Sequence, residues 1–194
     1  MINIQTLILC GGQSRRMGQD KALLPVENST LLQRTVDIAQ LISPQVWIVT
    51  PWREAYQPVF SETVQWLDDP HQQGGLVAFR RSLPQLQAPQ WVLLLACDLP
   101  YLDAQQLQTW VPILNQIPSQ YAAALVKQNQ RYEPLCGFYR GTVQSSLVRF
   151  TTNGGRSFQK WLATEAVYPL SLNDDRMLFN CNSPADFATL KTNF

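Results

Sequence analysis

The chain has 194 residues, a length that suits one domain with a substantial hydrophobic core. Its 15 basic and 14 acidic residues leave a formal net charge of +1, which gives no electrostatic reason to expect nucleic acid or an acidic membrane as a partner. No apolar run approaches the roughly 20 residues that span a bilayer, and the N-terminus lacks the features of a signal peptide. We therefore expect a cytoplasmic protein that does not contact membranes.

Predicted strands and helices alternate along the first half of the chain. Apolar runs that end at turn or polar residues predict strands at 4–10, 46–49, 64–67 and 91–97. Helices are predicted from the cap Thr30 to about residue 42, from Gly74 to about residue 83, and from the cap Asp103 to about residue 115. Because residues 91–97 are apolar throughout, we expect them to form a central strand that is covered on both faces.

The second half of the chain is less regular. Strands are predicted at 121–126 and 132–139, as an antiparallel extension of the sheet, and helices near 141–150 and 157–163. Ser183, Pro184 and Asp186 have the pattern of a helix start, with a capping hydroxyl, a proline at the first position and an acid at the third. This order predicts an α/β fold, a doubly wound and mostly parallel sheet with helices on both faces, in a single domain over residues 1–194.

The loop after the first predicted strand carries the most specific functional signal. It has the pattern Leu-x-Gly-Gly-x-Ser-x-Arg-Met-Gly-x-Asp-Lys-x-Leu-Leu, beginning at Leu9. Gly11 and Gly12 allow main-chain N–H groups to approach phosphate oxygens, while Arg16 and Lys21 supply positive charge. Its glycine and lysine spacing fits neither the P-loop nor the dinucleotide-binding fingerprint. The sequence therefore predicts a different kind of phosphate-binding loop.

Three further polar positions follow predicted strands, namely Thr50, Asp68 and Asp98. The carboxyl ends of the strands in such a sheet meet at one edge, so we expect one site there. Asp98 follows the most apolar strand, and a carboxylate in that position suits Mg²⁺. Asp68 and Asp69 compete for a place in this site, and the spacing to Gly74 favours Asp68.

The candidate catalytic residues are Arg16, Lys21 and Asp98. A preplaced arginine, lysine and Mg²⁺ would stabilise the negative charge that develops when an α-phosphate is attacked. No general base is needed if the attacking group is itself an ionised phosphate. The presence of a single histidine, His71, agrees with such chemistry.

The loop pattern closely resembles the N-terminal signature of the molybdenum cofactor guanylyltransferase family. The resemblance implies a nucleotide-diphospho-sugar-transferase-like variant of the Rossmann architecture. It also implies Mg²⁺-dependent transfer of GMP from GTP to the molybdenum-molybdopterin cofactor, with release of pyrophosphate. The nucleotide contacts that it implies, including an acid that holds guanine, fall on Leu9, Cys10, Gly11, Gly12, Lys21, Asp68 and Asp98.

Later segments extend the resemblance along most of the chain. Residues 180–184 resemble a family segment Asn-x-Asn-Thr-Pro, which makes Asn180 and Asn182 candidates for binding the acceptor substrate, although a turn and a helix cap explain them equally well. Arg156 could bring a cation to the acceptor phosphate or could simply precede a helix. The segment that begins at Glu133 (Glu-Pro-Leu) matches the family without a clear role. Further partners consistent with the resemblance are the enzyme that inserts molybdenum and the molybdoenzymes that receive the product.

The sequence departs from the family pattern at three places, and these departures keep alternatives open. Thr50 stands where relatives can carry asparagine. Cys10 stands where alanine is usual, and residues 74–78 read Gly-Gly-Leu-Val-Ala instead of Gly-Pro-Leu-Ala-Gly. Transfer from CTP, transfer to a sugar phosphate, and a non-catalytic cofactor carrier are the alternative functions. The joint presence of Arg16, Lys21 and Asp98 argues against the carrier, because binding alone would tolerate their loss.

Overall fold

The computed structural model describes residues 2–11, 20–26, 28–60 and 64–190 and confirms the predicted α/β architecture. In the described part of the chain the strands are β1 (Ile4–Leu9), β2 (Pro25–Val26), β3 (Ser29–Thr30), β4 (Val46–Thr50), β5 (Gln65–Asp68), β6 (Trp91–Ala96), β7 (Ala123–Gln128), β8 (Arg131–Arg140) and β9 (Val167–Pro169). The helices are α1 (Leu31–Gln40), α2 (Arg53–Tyr56), α3 (Gly75–Ser82), α4 (Ala104–Leu114), α5 (Gln144–Thr152), α6 (Phe158–Leu162) and α7 (Pro184–Leu190). None of these described helices is long and apolar enough to cross a membrane.

Seven strands form one sheet in the order β5-β4-β1-β6-β8-β7-β9, and β2 and β3 pair separately. The neighbours β5, β4, β1 and β6 are parallel to one another. β8 runs antiparallel to both β6 and β7, which confirms the predicted antiparallel extension. The chain moves from β1 outward to β4 and β5 and later returns to place β6 on the other side of β1. The order therefore reverses between β1 and β6, which makes this pair the topological switch point of the sheet.

Helices cover both faces of the sheet, as the sequence predicted. On one face, α1 and α4 contribute buried residues such as Leu32 and Trp110 to the larger core cluster. On the other face, α3, α5 and α6 contribute residues such as Phe79 and Trp161. All six residues of β1 and of β6 are buried, so both strands are anchored from two sides. Burying a large apolar side chain stabilises a fold by about 1.5–3 kcal/mol, which fixes the strand ends that carry the functional loops.

The capping residues explain where the main helices begin. The Thr30 hydroxyl accepts a hydrogen bond from Gln33 N at 3.2 Å, and the Asp103 carboxylate accepts one from Gln105 N at 2.8 Å. The predicted start near residue 141 is wrong for α5, because a 3-10 turn over Gly141–Val143 precedes it. The short elements α2, β2, β3 and β9 were not predicted, since two to four residues carry too little periodicity to be recognised.

Candidate active site

The candidate active site lies at the switch point, outside the carboxyl ends of β1 and β6. The register pairs Leu9 with Ala96, so the chain leaves both strands at the same level. A cavity of about 350 Å³, which we name the central cavity, opens there. Its wall combines the end of β1, residues 20–22, Tyr56, the start of α3, the loop after β6, one residue of β8 and the C-terminal segment. The lining residues are Leu9, Cys10, Gly11, Asp20, Lys21, Ala22, Tyr56, Gly75, Ala96, Cys97, Asp98, Leu135, Asn180 and Asn182.

Lys21 and Asp98 meet in this cavity from segments that are far apart in sequence. Lys21 Nζ lies 3.9 Å from Asp98 Oδ2, and both side chains are about one-fifth exposed. Lys21 Nζ also donates a hydrogen bond to Asn182 Oδ1 at 2.8 Å. Burial raises the pKa of Asp98, and the positive charge of Lys21 opposes that rise only in part. The site thus holds a carboxylate whose charge is incompletely compensated, which is favourable for a bound cation.

The donor set at Asp98 fits Mg²⁺ in a nucleotide complex. Among the described residues, no cluster of three or more His, Cys, Asp or Glu side chains could hold a metal by itself. Mg²⁺ does not require such a cluster, because it is commonly held by one or two carboxylates while phosphate and water oxygens complete its octahedral shell. Asp98 can therefore serve as the protein ligand of an ion that arrives with the triphosphate.

Asp20 connects α2 to residues 20–24, which we name the Lys21 segment. Its Oδ1 accepts a hydrogen bond from Ala22 N at 3.0 Å and so caps the 3-10 turn Lys21–Leu23. Its Oδ2 accepts a hydrogen bond from the Tyr56 hydroxyl at 2.7 Å. Tyr56 is 2% exposed and lines the central cavity. No motif in the sequence points to Tyr56, because its role depends on the placement of a four-residue helix.

A second cavity, of about 380 Å³, adjoins the central one and shares Leu9, Gly11 and Gly75 with it. We name it the Asp69 cavity. Asp69 is 7% exposed, and its Oδ1 is buried without a hydrogen-bond partner among the described residues. A Cβ atom built on Gly11 would lie 3.9 Å from Asp69 Oδ2, an ordinary contact distance, so Gly11 at the end of β1 neighbours this carboxylate.

The prediction that Asp68 lines this site is not supported by the structure. Asp68 is the last residue of β5, and its side chain is exposed and lines neither cavity, whereas Asp69 lines the Asp69 cavity. Successive residues of an extended strand point in opposite directions, and β5 ends so that the inward position falls on Asp69. Spacing to Gly74 does not resolve this one-residue difference.

The C-terminal segment closes one side of the central cavity. Cys181 N donates a hydrogen bond to the main-chain oxygen of Asp98 at 3.0 Å. The Asp186 carboxylate accepts hydrogen bonds from Asn182 N at 2.8 Å and from Ser183 N at 2.7 Å, and Asp186 N donates to Ser183 Oγ. This reciprocal capping holds Asn182 next to Lys21, and Asn180 also lines the cavity. Both asparagines are thus brought to the site.

Arg156 is not brought to the site. Its guanidinium donates hydrogen bonds to the main-chain oxygens of Thr151 at 3.0 Å and Gly155 at 2.8 Å. The side chain is exposed and lines neither the central cavity nor the Asp69 cavity, so the predicted contact with an acceptor phosphate has no support here. The remaining predicted residues Gly12 and Arg16 lie outside the described residues.

A lysine and a carboxylate that meet at the switch point of this sheet, in a chain whose sequence has a glycine-rich pattern after the first strand, are typical of nucleotidyltransferases. The family model described as MobA-like NTP transferase domain matches residues 6–167. A solved structure from Archaeoglobus fulgidus, described as molybdopterin-guanine dinucleotide biosynthesis protein A, has the same fold, with a TM-score of 0.77, 18% sequence identity and 97% of each chain covered.

Curated relatives give the more specific family. A protein from Nostoc sp. is 44% identical over 194 residues, which cover 100% of this chain and 93% of the relative. A protein from Synechococcus elongatus is 45% identical over 193 residues, which cover 98% and 99%. Both are described as probable molybdenum cofactor guanylyltransferase. The chain therefore belongs to the molybdenum cofactor guanylyltransferase family of nucleotidyltransferases.

Proposed function

We propose that this protein transfers GMP from GTP to the molybdopterin form of the molybdenum cofactor, releasing pyrophosphate and forming molybdopterin guanine dinucleotide. One observation carries the proposal. Lys21 Nζ and Asp98 Oδ2 lie 3.9 Å apart in the central cavity, which is lined in part by the end of β1. The names of the full-length relatives supply the substrates. The cytoplasm, where GTP is available, is the proposed location.

The proposed reaction needs charge stabilisation rather than proton transfer. An oxygen of the acceptor phosphate forms a bond to the α-phosphorus of GTP, and the bond between that phosphorus and the bridging oxygen of the β-phosphate breaks. Lys21 neutralises negative charge on the α-phosphate and the departing pyrophosphate. Mg²⁺, held by Asp98 together with phosphate oxygens, would supply further neutralisation and help to orient the reacting groups. Arg16 belongs to the same proposed machinery on sequence grounds.

The Asp69 cavity is the proposed place for guanine. Guanine presents N1–H and a 2-amino group on one edge, and a carboxylate accepts hydrogen bonds from both. Asp69 is buried and has an oxygen without a hydrogen-bond partner among the described residues. Cytosine lacks the paired N–H donors of guanine. One oxygen of the Asp69 carboxylate would therefore have no hydrogen-bond partner if cytosine were bound. Asp69 therefore replaces Asp68 as our candidate for selecting the base.

Binding and turnover with four nucleotides test this function. The purified protein is melted with Mg²⁺ and each of GTP, CTP, ATP and UTP, and GMP transfer to molybdopterin is then measured. We expect stabilisation by GTP alone, about 2.7 kcal/mol at 100 times its Kd, followed by turnover. A response to CTP instead would assign the protein to cytidylyl transfer. Stabilisation without turnover would favour a carrier.

The adjacent carboxylates Asp68 and Asp69 provide a matched pair of variants. Asp69→Asn retains the size of the side chain but presents only one acceptor oxygen to guanine, so we expect its Kd for GTP to rise about 10–100-fold. Asp68→Asn makes the same chemical change on an exposed side chain. Equal losses of GTP affinity in both variants would contradict the assignment of the base to the Asp69 cavity.

A further inference from the structure

A third cavity, of about 220 Å³, opens beside the central cavity and has no part in the nucleotide contacts proposed above. We name it the Glu133 cavity. Its walls come from the start of β8, the loop after β6 and the C-terminal segment, and they comprise Leu99, Glu133, Pro134, Leu135, Cys136, Leu178 and Asn180. Leu135 and Asn180 line the central cavity as well, so the two cavities share a wall. Glu133 is the one charged residue among these described lining residues.

The register of β8 brings Glu133 to the same edge of the sheet as Lys21 and Asp98. β8 pairs antiparallel with β6, and this pairing reaches Leu95 opposite Cys136. Because β6 ends at Ala96, the residues that precede Cys136 in β8 extend past the carboxyl end of β6. Glu133 thus stands beside the loop that carries Asp98, on the side of the central cavity away from β4 and β5.

The carboxylate of Glu133 is not engaged by the rest of the described fold. The side chain is half-buried, and its carboxylate makes no hydrogen bond or ion pair with any other described residue. Burial raises the pKa of Glu133, and the nearby charge of Arg131 opposes the rise only in part. Glu133 and the buried Cys136 both line the cavity, and burial together with the nearby Glu133 carboxylate raises the pKa of the Cys136 thiol. Partial burial of an unpaired carboxylate costs free energy, and donors from a ligand would offset that cost.

We propose that the Glu133 cavity binds the pterin ring of the acceptor, with the Glu133 carboxylate accepting hydrogen bonds from the ring N3–H and the 2-amino group. This inference rests on the proposed function, which makes a pterin the second substrate. The 2-amino-4-oxopyrimidine edge of a pterin presents the same two donors as guanine, so a carboxylate suits both. Leu99, Leu135 and Leu178 supply apolar contacts for a flat ring.

The arrangement divides the two substrates between two carboxylates on opposite sides of the central cavity. Asp69 would hold the guanine ring and Glu133 the pterin ring, with Lys21 and Asp98 between them. The shared wall at Asn180 leaves a path along which the acceptor phosphate can extend from the Glu133 cavity into the central cavity. Asn180 lines both the central cavity and the Glu133 cavity, so it would contact the acceptor substrate rather than GTP.

Binding of free pterin, followed by its fluorescence, tests this subsite. The full-length protein is first saturated with GTP and Mg²⁺, which fills the Asp69 cavity and prevents pterin from entering it. Pterin lacks a phosphate, so it cannot accept GMP during the measurement. The titration compares wild type with Glu133→Gln and with Glu54→Gln, the same change at an exposed position of α2. Lumazine, which has oxygen in place of the 2-amino group, is the matched control ligand.

We expect the Kd for pterin to rise about 10–100-fold in Glu133→Gln and to stay unchanged in Glu54→Gln. Wild type should bind lumazine more weakly than pterin by a similar factor, and stabilisation by GTP should be retained in both variants. Equal pterin affinity in wild type and Glu133→Gln, equal affinity of wild type for pterin and lumazine, or no pterin binding by wild type would each overturn the subsite. If pterin binding depends on Glu133 but the protein does not transfer GMP, the pterin subsite stands and only the proposed function is wrong.

Discussion

Asp98 is a residue at which stability and function oppose each other. It follows the fully buried strand β6, and its carboxylate lies 3.9 Å from Lys21 Nζ, too far for a hydrogen bond. The Lys21 ammonium group donates instead to Asn182. Burial therefore raises the pKa of Asp98, which means that its negative charge costs free energy in the protein without ligands. A cation that binds with the nucleotide would recover this cost.

Replacing Asp98 with asparagine separates these two effects. We expect Asp98→Asn to lower kcat at least about 10²-fold, because the proposed Mg²⁺ ligand is lost, and to raise the Tm of the ligand-free protein. The pKa of Asp98 is raised in the folded state, so the native protein binds more protons than the unfolded chain just above the ordinary pKa. Protonation of Asp98 thus relieves the cost, and the difference in Tm between variant and wild type should shrink as the pH falls through the raised pKa.

Thermal melts across acidic and neutral pH, with and without Mg²⁺ and GTP, check this prediction. The addition of Mg²⁺ with GTP should raise the Tm of wild type more than that of Asp98→Asn. A variant that is less stable than wild type without ligands, or one that retains full turnover, would show that Asp98 is a structural residue rather than a metal ligand.

The sequence predicted the residues that a continuous motif specifies and missed those that depend on local geometry. Lys21 and Asp98 were predicted from the loop pattern and the end of an apolar strand, and the structure brings them together. The distinction between Asp68 and Asp69 depends on which residue of an extended segment faces inward, and two adjacent acids carry no such information. For Arg156 the sequence left two alternatives open, a contact with the acceptor phosphate and a place before a helix, and its guanidinium donates to nearby main-chain oxygens of Thr151 and Gly155.

At the scale of elements, the short helix α2 matters because it holds the segment that carries Lys21. The Tyr56 hydroxyl donates to Asp20, and Asp20 in turn caps the 3-10 turn Lys21–Leu23. Burial and the hydrogen bond to the Asp20 carboxylate raise the pKa of Tyr56 far above its ordinary value, so the hydroxyl remains a donor at any working pH. Tyr56 is accordingly a positioning residue, which acts on Lys21 through Asp20.

Removal of one hydroxyl tests the connection between α2 and the Lys21 segment. A hydrogen bond to a charged group contributes about 1.5–3 kcal/mol, so we expect Tyr56→Phe to lower kcat/KM for GMP transfer about 10–100-fold. The ratio of wild-type to variant activity should be constant from about pH 6 to about pH 9, because the hydroxyl does not titrate in that range. Tyr168→Phe, the same change in a half-buried ring on β9, is the control. Equal effects in the two variants, or a ratio that changes with pH, would contradict the positioning role.

Element prediction succeeded where capping and periodicity coincide. Thr30 and Asp103 both cap helices whose apolar faces repeat over two or more turns, and the predicted starts of these helices are confirmed. The elements that were missed owe their conformation to neighbours. β9, for example, is a three-residue strand that forms because β7 offers it a parallel edge. Pairing of this kind is invisible in the sequence of the strand itself.

For the whole molecule, one sheet joins the strands of the two halves of the chain at the β6–β8 pair. β8 comes from the second half and pairs with β6, the last parallel strand of the first half, while β7 and β9 follow beyond it. Both core clusters likewise combine residues from the two halves, for example Ile8 with Phe138 and Leu7 with Trp161. A division of the described chain into two separately folding units would have to break the β6–β8 pair and both clusters. Because of this continuity, we expect the described chain to unfold as a single domain.

Equilibrium unfolding in urea tests whether the chain behaves as one cooperative unit. Far-UV circular dichroism follows the sheet and helices together. Tryptophan fluorescence reports on all six tryptophans, of which Trp91, Trp110 and Trp161 are fully buried in β6, α4 and α6. We expect the two transitions to coincide, because these tryptophans belong to different elements on both faces of one sheet. GTP with Mg²⁺ should shift both curves equally, since stabilisation of the native state by a ligand acts on the whole cooperative unit. A fluorescence change that precedes the loss of secondary structure, or a curve with two steps of which only one responds to GTP, would show that part of the chain unfolds independently of the site.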